Sequence, residues 1–139
     1  FVAGDAEAVE TLIQRARAYI YTTAATALLS VALMKSLELI RDGESRRHHL
    51  QALIARLREC LKPERWRLLP SQTAIQPLVI GSNDEAVTVS ESLARDRLLV
   101  PAIRPPTVPQ GTARLRISLS AAHSENDVER LADALNMLQ

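Results

Sequence analysis

Arg104-Pro105-Pro106-Thr107-Val108-Pro109-Gln110-Gly111 narrows what this chain can fold into more than any other stretch, because three prolines and a glycine in eight residues fit neither a helix interior nor a central strand. Each proline ring clashes with the residue before it, so Arg104 and Val108 are held in extended backbone. Gly111 supplies a turn, and the pattern then alternates: Ala113, Leu115, Ile117 and Leu119 on one face, Arg114, Arg116 and Ser118 on the other. A stiff loop therefore feeds a strand with one buried face, and such a strand requires a sheet. The loop presents Arg104 and Thr107. A guanidinium braced in this way suits bidentate recognition of a small carboxylate, since its donor fork is planar and little freedom is left to lose. An ordinary arginine on a proline-rich surface loop fits the same residues.

The remainder of the chain supplies the layers. Phe1-Val2-Ala3-Gly4 could close a strand whose sheet lies outside the sequence. Asp5 caps a helix whose stripe runs through Val9, Leu12, Ile13, Ala16, Tyr19 and Ile20. Tyr21-Thr22-Thr23 interrupts that stripe with hydroxyls that either cap a new helix or donate to a phosphate. From Ala24 to Ile40 almost every residue is apolar or small, which predicts a helix covered on most sides, and Arg41-Asp42-Gly43 ends it. A second amphipathic helix is expected over 45–61, closed by Pro63. Its His48 and His49 point about 100° apart and read as surface residues rather than a metal pair.

Trp66–Leu69 and Ile75–Ile80 read as strands, and Pro77 argues that the second is an edge or carries a bulge. Ser82-Asn83-Asp84-Glu85 spells a capping box for a helix to about Asp96, and 98–103 reads as a strand into the proline loop. Ser124 with Asp127 opens a last helix with Val128, Leu131, Ala132, Leu135 and Leu138 on its inner stripe. The order β, β, α, β, β, α predicts an α/β (α+β) sandwich, a small open sheet with helices packed on one face.

Composition removes several function classes. The 139 residues carry a formal net charge of +1, which leaves no basic footprint for nucleic acid, and no apolar run is long and uncharged enough to span a bilayer. Cys60 is the single cysteine, excluding an internal disulfide and a cysteine-built zinc site. A cytoplasmic setting is compatible with this. The first residues lack the pattern of a secretory signal and there is no initiating Met, as if the sequence began inside a longer chain. No glycine-rich phosphate loop, Gly-x-Ser-x-Gly or His-x-x-x-His occurs. His123 has no local acid or nucleophile and reads as structural.

Arg104–Pro109 followed by Gly111-Thr112-Ala113-Arg114-Leu115-Arg116 resembles the C-terminal signature of the α-oxoamine synthases, and the similarity continues through Tyr19–Thr23, Ala74–Gly81 and Leu119–His123. These are fold-type I pyridoxal-phosphate enzymes that join an amino acid to an acyl thioester with loss of carbon dioxide. The Arg-Pro-Pro-Thr-Val-Pro run is most similar to the branch serving biotin biosynthesis, rather than those making aminolevulinate, aminoketobutyrate or sphingoid bases. The resemblance implies the last third of such an enzyme, acting on L-alanine and a pimeloyl thioester of CoA or an acyl carrier protein, with residues 1–42 the end of a larger domain and an interdomain helix and residues 43–139 a small C-terminal α/β domain. It implies Arg104 and Thr107 as substrate-binding residues, and Thr22 and Thr23 as contacts to the cofactor phosphate across a homodimer interface. The family's Pro-Pro pair after that segment is replaced here by Thr26-Ala27. Lys35 and Lys62 are the two lysines, and neither lies among the small residues that surround a cofactor lysine, so the covalent attachment is expected elsewhere and these residues alone are expected to be inactive. A non-catalytic α/β domain using the same loop to bind a small anion is the alternative from another class. Arg114 and Arg116 fit structural ion pairs and a cleft lining equally.

Overall fold

The computed structural model describes residues 2–139, which form two compact units, Phe1–Asp42 and Gly43–Gln139. Phe1 lies outside the described residues, and Val2–Gly4 have no regular structure, so the strand end expected there is absent from them.

In the first unit, Asp5 accepts the Ala8 N–H at 2.8 Å and starts helix α1, Ala6–Arg15. The single helix expected to reach Ile20 is broken. Ala16 is extended (φ −72°, ψ 102°), and α2 is one turn, Arg17–Ile20. Ala16 serves both sides of the break: its N–H donates to the Leu12 carbonyl, and its own carbonyl accepts from Tyr19 and Ile20. Neither glycine nor proline marks the position and Ala16 stays on the apolar stripe, so periodicity runs straight through the break. Helix α3, Ala27–Arg41, is capped by Thr26, whose hydroxyl accepts the Leu29 N–H. The cap is therefore neither Thr22 nor Thr23. No described residue of α1, α2 or α3 is buried, although Leu28, Val31, Leu33, Leu37 and Ile40 would each gain from burial.

The second unit runs α4 (Glu44–Cys60), β1 (Arg67–Leu68), β2 (Ile75–Gly81), α5 (Asn83–Arg95), β3 (Ala102–Ile103), β4 (Ala113–Ser118) and α6 (Glu125–Met137). The strands form one antiparallel sheet in the order β1-β2-β4-β3. Leu68, Leu78, Leu115 and Ala102 face one another across the four strands, and Arg67, Val79, Arg114 and Ile103 form the next row on the opposite face. The first row belongs to the core, with Leu53 and Leu57 of α4, Leu93 of α5 and Val128 and Leu135 of α6; the second is left open. This is the small sheet with helices on one face that the element order predicts. Burial of those leucines contributes roughly 1.5–3 kcal/mol each.

Side chains tie the helices to one another. Arg56 of α4 places Nε and Nη2 on one carboxylate oxygen of Glu129 in α6, at 2.9 and 2.6 Å, and these bonds raise the guanidinium pKa further. The amide of Asn136 donates to the Cys60 carbonyl and accepts the Lys62 N–H, closing the end of α4 against α6. His49 meets the His123 carbonyl at 3.0 Å, and His123 Nδ1 accepts the Ser120 N–H, so both imidazoles hold the turn before α6.

Two local expectations change. Pro77 lies in β2, which is paired on both sides and so is not an edge; of the two alternatives the strand shows the bulge, a register irregularity between Val79 and Gly81, beyond the proline itself. The proline sits where β1 runs out. Its carbonyl accepts the Leu69 N–H, the reciprocal bond is impossible without a proline N–H, and Arg58 Nη2 donates to the Leu69 carbonyl at 2.7 Å instead. At α5, Ser82 caps the Glu85 N–H, but the Glu85 carboxylate does not return to Ser82. It accepts from the Trp66 indole and from Arg65, linking the start of α5 to the entrance of β1.

Candidate functional site

The proline-rich stretch is the connection of a β-hairpin. Ile103 of β3 pairs with Arg114 of β4, so residues 104–112 form a loop whose two ends are fixed side by side. The strand expected over 98–103 pairs only at Ala102–Ile103, because Pro101 has no N–H to return to β4, while on the other side the Val100 carbonyl accepts the Ser90 hydroxyl. The Pro101 carbonyl still accepts the Arg116 N–H at 3.0 Å, continuing the alignment.

Within the loop the Thr107 N–H donates to the Arg104 carbonyl at 3.0 Å, forming a turn around Pro105 and Pro106, whose peptide bond is cis. At the other end the N–H and hydroxyl of Thr112 both donate to the Pro109 carbonyl, at 3.2 and 2.7 Å. Arg104 and Thr107 thus share one braced turn, and both are exposed. No described residue pairs with the Arg104 guanidinium.

The two strand arginines differ. Half-buried Arg114 turns back into the loop, Nε donating to the Thr112 carbonyl at 3.1 Å and Nη2 to the Thr112 hydroxyl at 3.2 Å. Arg116 lies beside Pro77 on the open face, exposed and without a partner among the described residues. Neither makes an ion pair there. The sequence pattern places both on one face but has no signal for the link from Arg114 to Thr112.

Thr22 and Thr23 lie between α2 and α3 in the first unit, both exposed. The Thr22 hydroxyl donates to the Tyr19 carbonyl at 2.6 Å, which uses its one proton locally, whereas the Thr23 hydroxyl has no partner among the described residues. Lys35 is held by Glu38 at 2.8 Å on the exposed side of α3, and Lys62 is exposed beyond the end of α4. An uncommitted hydroxyl donor is present in this segment; a sheltered lysine is not found among the described residues.

Residues 1–135 match the family model described as aminotransferase class I and II. The chain belongs to that family. It is 59% identical over 141 residues to the 8-amino-7-oxononanoate synthase of Herminiimonas arsenicoxydans, a match taking in 100% of this chain and 36% of that protein. The enzyme of the same description from Aromatoleum aromaticum is 59% identical over 139 residues, again 100% of this chain and 36% of the relative. Among solved structures, an 8-amino-7-oxononanoate synthase from Francisella tularensis superposes with a TM-score of 0.82 at 24% identity, over 97% of this chain and 39% of that one. Sphingomonas wittichii serine palmitoyltransferase gives 0.81 at 27% identity, over 98% and 35%. The chain therefore spans about a third of the length of the curated relatives it matches.

Proposed function

We propose that these residues are the C-terminal part of a pyridoxal-phosphate-dependent 8-amino-7-oxononanoate synthase, which condenses L-alanine with a pimeloyl thioester of CoA or an acyl carrier protein and releases carbon dioxide. The observation that carries this reading is the match, over the whole of this chain and about a third of each relative, to proteins of that description, joined to a braced loop that holds an unpaired arginine outward. On this reading Phe1–Asp42 ends the large domain and Gly43–Gln139 is the small domain of a cytoplasmic homodimer.

Bound pyridoxal phosphate supplies an electron sink for the amino-acid α-carbon. Within this chain Thr23 is the residue suited to its phosphate, since its hydroxyl proton is uncommitted while that of Thr22 is not. The lysine that holds the cofactor is assigned outside residues 1–139, because neither Lys35 nor Lys62 has a site to hold it in. Without that lysine, these residues alone would be inactive. Arg104 receives the α-carboxylate and fixes its plane as well as its position, and Thr107, one turn away, positions the same substrate.

A lysine ammonium would fix only position, so Arg104→Lys in the full-length enzyme should lower kcat/KM for alanine by about 30- to 1000-fold, with a much smaller change in KM for the thioester. Arg116 shares the exposed, unpartnered condition of Arg104, and Arg116→Lys belongs in the same experiment. Steady-state kinetics with each substrate varied separately decides it. Wild-type alanine kinetics in Arg104→Lys, with the loss appearing in Arg116→Lys, would transfer the carboxylate to the strand. No loss in either would remove both arginines from the alanine site, and a full-length protein that turns over neither substrate would favour an anion-binding domain without chemistry.

A further inference from the structure

We infer that Arg114 is a positioning residue, one that sets the geometry of the 104–112 loop through Thr112 instead of touching substrate. The inference rests on the reading of that loop as the amino-acid site. Arg114 occupies an unusual position for this task, because its backbone is locked into the sheet opposite Ile103, the residue that enters the loop, while its side chain grips the residue that leaves it. The grip has two points, Nε on the Thr112 carbonyl and Nη2 on the Thr112 hydroxyl. That hydroxyl passes its own proton to the Pro109 carbonyl at 2.7 Å, so a continuous path runs from the sheet through Arg114 and Thr112 to the last proline.

Each group in the path has a role that a near neighbour in chemistry lacks. A guanidinium has two parallel donors on its Nε–Nη2 edge and meets a carbonyl and a hydroxyl at once; an ammonium on a flexible stem does not hold both in a fixed plane. The Thr112 hydroxyl accepts from Arg114 and donates to Pro109, which needs an oxygen carrying a proton. With that edge occupied inside the loop, the Arg114 side chain is committed to Thr112, which separates it from Arg104 and Arg116. The prolines restrict the loop at Arg104 and Val108 but leave ψ free at Gln110 and Gly111, and it is across those two residues that the Thr112–Pro109 bonds close the chain. Released there, the loop loses its hold on the height at which Thr107 and Arg104 stand above the sheet.

The test uses the full-length enzyme with Arg114→Lys, Thr112→Val, their double mutant, Thr112→Ser and Arg104→Lys, each checked by thermal melting. Amide hydrogen exchange at Thr107 and Thr112 reads the loop directly, and kinetics reads its consequence. Arg114→Lys and Thr112→Val should each speed exchange at Thr112 and lower kcat/KM for alanine about tenfold, leaving KM for the thioester within about twofold. Thr112→Ser, which keeps the hydroxyl, should resemble wild type. The double mutant should be no worse than either single change, since both cut one path. Unchanged exchange in Arg114→Lys, or additive losses in the double mutant, overturns the inference. Faster exchange beside an unaffected Arg104→Lys enzyme supports the brace and removes only the assignment of Arg104 as the carboxylate ligand.

Discussion

Asp127 shows how much one residue of this chain does when two donors converge on it. The N–H and hydroxyl of Ser124 both donate to one of its carboxylate oxygens, at 2.8 and 2.7 Å, while its own N–H returns to the Ser124 hydroxyl. Those bonds, the backbone one first, hold the Asp127 carboxyl below the usual aspartate range. A folded-state pKa below the unfolded value near 4 means a contribution that is complete above about pH 4 and is lost as pH falls through the folded value. The melting temperature of wild type should therefore exceed that of Asp127→Asn at pH 6, with the gap closing below about pH 4; a gap that stays constant would assign the cap to Ser124 alone. This box was legible as a Ser124/Asp127 pair at the head of an apolar stripe. Ser82 and Glu85 look alike in sequence, yet Trp66 and Arg65 take the Glu85 carboxylate, a contact across 19 and 20 positions that no local spelling contains. Arg104 and Thr107 were visible because prolines leave a mark in composition, whereas the grip of Arg114 on Thr112 leaves none.

At the scale of elements, helices with a buried stripe were readable and strands of two residues were not. The stripes of α4, α5 and α6 follow from Leu53 and Leu57, Val89 and Leu93, Leu131 and Leu135, which recur at the period of the helix and face one core. β1 and β3 pair over two residues each because Pro77 and Pro101 withhold donors beside them, so their lengths are set by partners distant in sequence. The end of α5 carries a cost that the sequence conceals. Arg97 is left-handed at φ 61°, and the Leu98 N–H reaches back to the Leu93 carbonyl in the bond that usually accompanies a glycine one place earlier. A non-glycine residue there costs about 1–2 kcal/mol, part of which glycine would return as extra freedom in the unfolded chain. Arg97→Gly should stabilise the second unit by about 0.5–1 kcal/mol, seen as a higher urea midpoint at unchanged slope. A lower midpoint would mean that the Arg97 side chain makes a contact worth more than the strain.

For the whole molecule, the buried apolar side chains among the described residues, from Leu53 to Leu135, all belong to the second unit, and this predicts where the chain first gives way. Helices α1, α2 and α3 contain 10, 4 and 15 residues and bury none of them. Isolated helices of that length are marginal in water, and most helical stability comes from packing an apolar face. α3 was expected to need covering on most sides, and its Leu28, Val31, Met34 and Leu37 are each more than half exposed. In the proposed enzyme the preceding part of the chain and a second subunit would provide that cover, as the one-third span of the relatives allows. A chain of these 139 residues should therefore open locally in the first unit at little free-energy cost, while the core of the second opens only with global unfolding. Brief proteolysis should nick the region before Gly43 first and leave a resistant product containing residues 44–137, and amide exchange should be fast throughout 6–41 but slow at Leu57, Leu115 and Leu135. Equal protection in both units would contradict this expectation, and dilution then separates the causes: protection lost on dilution means a second copy covers the bare faces, and protection retained means the first unit is stable without cover.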